Sequence, residues 1–222
     1  MKEYKKTDSI ILASASPRRR ELLSQIGIEY EVIPSNKEEV VTSKVPSEIV
    51  MELAKQKAED VAIKSGKIGK IVLGADTIVA LSGEIMGKPM DKEDAYTMIS
   101  KLQNNRHQVY TGVSFSILRE DGLIDSHVFY EETQVDVYPM TEEEIWSYIK
   151  TKTSSNNSKF SKWDKNSVPY ECEDKAGAYG IQGPFAAYIK GIQGDYNNVV
   201  GLPVARVFQE LKKFIRICDV MI

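Results

Sequence analysis

Little in this chain points to metal clusters, disulfides or membranes. Its 222 residues hold two cysteines, Cys172 and Cys218, and two histidines, His107 and His127. There is no CxxC pair and no His/Cys spacing of a zinc site, so two unpaired thiols and two polar strand or loop histidines are the expectation. No apolar run approaches the ~18 residues a membrane span needs. Lys2, Lys5 and Lys6 precede the apolar run 10–13, but that run is shorter than the ~7–15 residues of a signal core. A cytoplasmic protein with no membrane partner follows as the expectation. A large excess of positive or negative residues is also missing: 29 Lys and Arg stand against 32 Asp and Glu, a net charge of -3. That balance argues against a protein that coats DNA or RNA, while leaving room for a local anion site.

What is present suits a buried core, with 42% of residues hydrophobic. Ile10 to Ala13 reads as a short strand, followed by a Ser-rich turn and a helix from Pro17 to Gly27. A second strand covers Tyr30 to Ile33. The apolar positions Val50, Leu53, Ala54, Ala58 and Val61 then predict a helix from Pro46 to about Lys64, stopped by Gly66. A strand Ile71 to Leu73 and a hairpin of Ile78–Leu81 with Glu84–Met86 come next. Asp91 and Asp94 open a helix burying Ala95, Met98, Ile99 and Leu102. Val109–Leu118 and the alternating segment through Val128, Tyr130, Val135 and Val137 read as antiparallel strands about Asp121–Gly122. Thr141 with Glu144 forms a capping box ahead of Ile145, Tyr148 and Ile149. The Ser-, Asn- and Lys-rich stretch 152–172 reads as an exposed, flexible insertion. A strand over Ala187–Ile192 and a closing helix with Val204, Val207, Phe208, Leu211 and Phe214 inward complete an α/β pattern with a mixed sheet.

Three places break the rules of ordinary surfaces. Ser16 suits an N-cap and Pro17 the first helical position, yet Arg18, Arg19 and Arg20 then crowd the positive end of a helix. Cations there are unfavourable by about 0.3–1 kcal/mol each unless an anion neutralises them. Ser14, Ser16, the backbone N–H groups and the guanidinium forks would cradle a phosphate, with a solvated basic face as the alternative. Lys57 falls on the apolar stripe of its helix, where it either snorkels outward or meets an anion. Asp76 follows the strand Ile71–Leu73, which places it at a strand's carboxyl end, where ligands bind in open α/β sheets. An Asx-turn acid is the plain alternative to a general base or metal ligand there. Gly87-Lys88-Pro89 offers a cation on a turn, but GxxxxGK[ST] is not matched. Cations on several elements, together with Glu38, Glu39 and Asp76, fit a polyphosphate with a hard metal ion.

SASPRRREL from Ser14, LAKQKA from Leu53, GADTIV from Gly74, GKP from Gly87, DKAGAYGIQG from Asp174 and GDYNNVVGLP from Gly194 occur in the order seen in the Maf family, which this chain resembles over nearly its whole length. The resemblance implies one domain over 1–222, with a mixed sheet flanked by helices and two lobes about a central cleft. It implies a nucleoside triphosphate pyrophosphatase that needs Mg²⁺ or Mn²⁺ and forms homodimers. Asp76 matches the family's proton acceptor, Ser14, Arg19, Lys57 and Lys88 its phosphate-handling residues, and Glu39, beside Glu38, its metal-site glutamate alongside Asp76. Arg18, Thr77 and Gln182 match positions that track substrate class and resemble members acting on dTTP and UTP rather than 7-methyl-GTP. A nucleotide-sensing regulator of cell division is the alternative of another class.

Overall fold

In chain order the elements are β1 (Ile10–Leu12), α1 (Pro17–Gln25), β2 (Tyr30–Val32), α2 (Pro46–Ser65), β3 (Ile71–Leu81), β4 (Glu84–Met86), α3 (Lys92–Leu102), β5 (Arg106–Leu118), β6 (Ile124–Val137), α4 (Glu142–Ile149), β7 (Ile189–Gln193), α5 (Tyr196–Val200) and α6 (Val204–Met221). The computed structural model describes residues 9–152, 161–164 and 169–221, with side chains through Arg216. Seven strands form a mixed sheet in the order β2-β1-β3-β5-β6-β7, with β4 paired to β3. β1 lies parallel to β2 and β3, whereas β4 and β7 run antiparallel to their partners. The chain divides into two compact units. The first comprises Met1–Thr77, Thr111–Glu131 and Asn197–Ile222, the second Ile78–Tyr110 and Glu132–Tyr196.

In the first unit, the stripe of α2 is buried as its spacing predicts, with Ile49 and Ala62 added to it. Ala58, Val61 and Ala62 pack on Ile11 of β1, on Ala13 just after it and on Val72 of β3. The helix can approach this closely because two strand residues have no side chain. A Cβ on Gly74 of β3 would fall 2.2 Å from the Ala54 carbonyl oxygen, and one on Gly112 of β5 2.1 Å from that of Val50. α2 ends where Gly66 adopts a left-handed conformation, φ 62°. Val204, Val207, Leu211 and Phe214 of α6 are buried as expected, but Phe208 is 36% exposed and does not join them. The Phe115 ring instead meets Phe129 and Phe214, each at 5.9 Å between centroids.

The second unit keeps the predicted caps. Asp91 accepts the Asp94 N–H at 2.8 Å, and Thr141 with Glu144 forms the reciprocal capping box of α4. The strand expected over 187–192 starts later: Pro184–Tyr188 is a 3₁₀ turn, and β7 follows it. His107 is a polar strand residue of β5, as expected; it is fully buried, and its Nε2 pairs with the Tyr179 hydroxyl at 2.8 Å. Burial pushes its imidazole down to about 4. Cys172 is a buried free thiol, raised to about 12 by the same cause and so unreactive. Cys218 has its side chain outside the described residues.

Of the stretch 152–172, residues 153–160 and 165–168 lie outside the described residues. The rest is packed. The Glu171 N–H donates to the Thr151 carbonyl at 2.9 Å, and Lys152 bridges to Tyr170, so the two ends are stitched together. The buried Ser161 hydroxyl donates to Glu173 at 2.7 Å, while Trp163 packs on Tyr170. Serine content alone could not reveal this burial, because the acceptor lies twelve residues away.

Alanine at Gly74 or Gly112 forces backbone apart and is expected to cost about 3 kcal/mol in urea unfolding. Gly87→Ala, with open space at that position, should be near neutral. A histidine held neutral in the folded state binds fewer protons than the unfolded chain. Stability is therefore intact above pH 6.5 and declines as pH falls toward 4, by about 3 kcal/mol in all from this group. In His107→Gln that part of the pH dependence of the unfolding midpoint should disappear.

Candidate active site

β1 stops at Leu12, opposite Leu73 of β3, and the Ala13 N–H adds one last bond to the Leu73 carbonyl at 2.8 Å. From there the chain turns through Ser14–Ser16 into α1. Ser16 takes the N-cap place and Pro17 the first position, as expected, but the Ser16 hydroxyl caps nothing. Ser14 does the local work. Its Oγ accepts from the Ser16 N–H at 3.3 Å and from Arg19 Nη1 at 3.1 Å.

Arg19 is the hub of this corner. Besides Ser14, its guanidinium donates to the carbonyls of Gly201 (2.9 Å) and Ala75 (2.8 Å) and to Thr77 Oγ1 (3.1 Å). Thr77 Oγ1 lies 2.9 Å from Thr111 Oγ1, which donates to the Asn198 carbonyl at 3.2 Å. One planar fork thus joins α1, β3 and the turn after α5, a geometry that lysine cannot copy. Burial lowers the guanidinium to about 10, against the pull of Asp76 and Glu39, and it stays protonated at neutral pH. Those two carboxylates are part of the anionic partner that a cation at a helix N-terminus requires.

On β3, residues alternate between the faces of the sheet. Val72, Gly74 and Asp76 share the face toward α2, while Ala75 and Thr77 serve Arg19 through a carbonyl and a hydroxyl. Gly74 brings the backbone of Ala54 and Ala58 against the strand, which sets Lys57 beside Asp76. Lys57 Nζ lies 2.5 Å from Asp76 Oδ1 and 2.8 Å from Glu39 Oε1. The Lys57 and Asp76 side chains are 19% and 16% exposed and Glu39 52%, so the pair is shielded and the third member faces water. Of the two adjacent glutamates, Glu39 is the one that reaches Lys57. The lysine on the apolar stripe therefore meets anions of the chain itself.

Asp76 does not stand at the carboxyl end of its strand. β3 continues to Leu81, and Asp76 is in its middle. Gly74 reads in sequence as a strand end, but its role is the close approach of α2. What ends nearby is β1, so β3 beyond Leu73 is not matched by β1.

Ser14, Arg18, Arg19, Glu39, Lys57, Asp76 and Thr77 all belong to the first unit; Lys88 and Gln182 belong to the second. Lys88 is exposed after Gly87, whose carbonyl accepts the Gly177 N–H at 3.0 Å. Gln182 is exposed on a turn closed by the Gly183 N–H and the Gly180 carbonyl at 3.1 Å. Thr111 and the carbonyls of Asn198 and Gly201 were not foreseen as supports. Asn198 and Gly201 lie in the run GDYNNVVGLP, one of the motifs that carry the family resemblance.

Residues 9–214 match the family described as Maf-like protein. A dTTP/UTP pyrophosphatase of Agathobacter rectalis is 51% identical over 217 residues, covering 92% of this chain and 96% of that protein. A dTTP/UTP pyrophosphatase of Lachnoclostridium phytofermentans is 45% identical over 205 residues, covering 92% and 94%. Among solved structures, a HAM1 protein from Coxiella burnetii aligns with a TM-score of 0.45 at 12% identity, over 94% of this chain and 98% of that one.

Replacing Arg19 by lysine leaves several of its four acceptors without a donor. Arg19→Lys is expected to lower unfolding stability by about 2–3 kcal/mol, read from the urea midpoint.

Proposed function

The chain belongs to the Maf-like protein family, and from that premise we propose that it hydrolyses dTTP and UTP to the nucleoside monophosphate and pyrophosphate, clearing such triphosphates from the nucleotide pool. The observation that carries the chemistry is the Lys57 ammonium held between Asp76 and Glu39 next to the Ser14–Arg19 corner. A carboxylate shielded on an internal strand, with a cation in contact, is equipped to accept a proton beside a polyanion.

In this reading water attacks the α-phosphorus and gives its proton to Asp76. The new P–O bond forms as the bond to the α,β-bridging oxygen breaks, and pyrophosphate leaves. Lys57 offsets negative charge on Asp76 before the transfer and on the phosphate after it. Arg19 keeps Ser14 and the β3 backbone in place, so that Asp76 has one fixed orientation. Ser14, Arg18 and Lys88 are proposed to bind phosphate oxygens, and Thr77 and Gln182 to bear on the choice of nucleotide. A carboxamide offers a donor and an acceptor on one edge, matching the alternating C=O and N–H of uracil and thymine; cytosine carries an amino group at one of those places.

The donor set also fits a divalent cation. Asp76 and Glu39 are hard oxygen ligands that converge on one positive group, here the ammonium. Among the described residues no cluster of three His, Cys, Asp or Glu side chains could hold a metal by itself. Mg²⁺ characteristically takes one or two protein carboxylates and completes its shell with phosphate oxygens and water. Mg²⁺ or Mn²⁺ on Asp76 and Glu39 would neutralise phosphate charge as a Lewis acid. A cytoplasmic homodimer completes the proposal; among the described residues no helix is long and apolar enough to cross a membrane.

Asp76→Asn keeps the shape and removes the base. Pyrophosphate release from UTP and dTTP is expected to fall by about 10²–10⁴-fold while triphosphate binding persists. Near-normal release by this variant would remove Asp76 from the mechanism, and orthophosphate with a diphosphate as products would contradict attack at the α-phosphorus.

A further inference from the structure

Gln182 is exposed on a turn whose neighbours are tightly held. Tyr179 before it is buried, with its ring against Phe185 at 4.7 Å and its hydroxyl on His107. Ile181 is buried too, so Gln182 projects from a segment fixed on both sides. The turn is bracketed by Gly180 and Gly183, neither of which adopts a left-handed conformation. Conformational freedom is therefore not the reason for glycine here.

The reason is an ion pair lying against them. Glu171 and Lys175, four residues apart, approach to 3.3 Å with side chains 15% and 11% exposed. Lys175 Nζ also donates to the Glu171 carbonyl and to Asp174 Oδ1 at 2.9 Å. A Cβ on Gly183 would stand 2.7 Å from Glu171 Oε1, and one on Gly180 2.5 Å from Lys175 Cε. Carboxylate and lysine stem thus press on the two ends of the turn. A third support comes from Tyr148, whose hydroxyl accepts the Gly180 N–H at 3.3 Å. A shielded ion pair of this kind contributes little net stability, because desolvation offsets attraction, and its best-attested use is to fix register.

We infer that Glu171 and Lys175 are positioning residues that hold the Gly180–Gly183 turn, and with it the Gln182 carboxamide, at one height, so that base selectivity depends on a pair that touches no substrate. The inference rests on the reading of Gln182 given above. A carboxamide can rotate to suit either an imide or an amino edge, so discrimination between uracil and cytosine requires its backbone to stay fixed.

The test uses the full chain with Glu171→Ala, alone and combined with Gly183→Ala, beside three single variants, Glu171→Gln, Lys175→Met and Gly183→Ala. The last leaves the pair's chemistry intact but drives the Glu171 carboxylate aside. Amide hydrogen exchange at Gly180 and Gly183 is measured without nucleotide, and KM and kcat for pyrophosphate release are measured with UTP and CTP. Exchange at both amides should quicken about tenfold. KM for UTP should rise about tenfold, kcat should stay within twofold, and the UTP-to-CTP preference should shrink. Gly183→Ala added to Glu171→Ala should bring no further loss, since the obstructing carboxylate is then absent. Unchanged exchange, or an unchanged UTP-to-CTP ratio in folded variants, overturns the inference. If one substitution unfolds the chain, the others decide. Wild-type protein that releases no pyrophosphate refutes the nucleotide reading instead, and the exchange rates still judge the turn.

Discussion

The closeness of α2 to the sheet is the constraint on which the first unit depends. At Gly74 and Gly112 the helix backbone meets strand backbone where any side chain would intrude. That approach fixes the rotation of the helix as well as its distance, because Ala54, Ala58 and Val50 must all face inward. Lys57, next to Ala58, is thereby set beside Asp76 of the strand, with Glu39 as its second partner. The charged group is thus a product of packing: two missing side chains determine where an ammonium ion meets a carboxylate.

Arg19 performs the complementary task on the other side of β3. Its four acceptors come from three parts of the chain that are distant in sequence, and Thr77, Thr111 and Asn198 extend the bonding further. A half-buried guanidinium held by four hydrogen bonds resists reorientation, since breaking one leaves a partly desolvated group unpaired. The Ser14 corner and the Asp76 strand therefore move as one piece. Preorganisation of this type matters in reactions of polyanions, where catalysis comes mainly from charges that need no rearrangement.

Much of this was legible in the sequence wherever the cause was local. The caps at Asp91, Thr141 and Gly66 and the apolar stripe of α2 follow from neighbours within one or two turns, and they appear where expected. Errors arose where a residue answers to a distant part of the fold. Gly74 imitates a strand end because its partner, Ala54, is on another element. His107 is the polar strand residue expected, but its burial could not be read locally, because the Tyr179 hydroxyl that satisfies it lies far along the chain. Phe208 fits the helical period of α6, but the buried stripe is narrower than the pattern implies. For Lys57, periodicity showed the anomaly and left two explanations; the contacts with Asp76 and Glu39 decide between them.

The bond between the Glu171 N–H and the Thr151 carbonyl has a consequence for variation. An excursion that departs and returns at adjacent points passes no strain to its anchor, and closing a longer one costs only about 0.6 kcal/mol per doubling of length. Ser161 and Trp163 nevertheless tie part of that excursion to Glu173 and Tyr170, so a change of length leaves the geometry beyond Glu171 undisturbed only where it keeps those two contacts. An insertion between the Thr151 and Glu171 anchors is therefore a matter of loop entropy alone only where it spares the seats of Ser161 and Trp163.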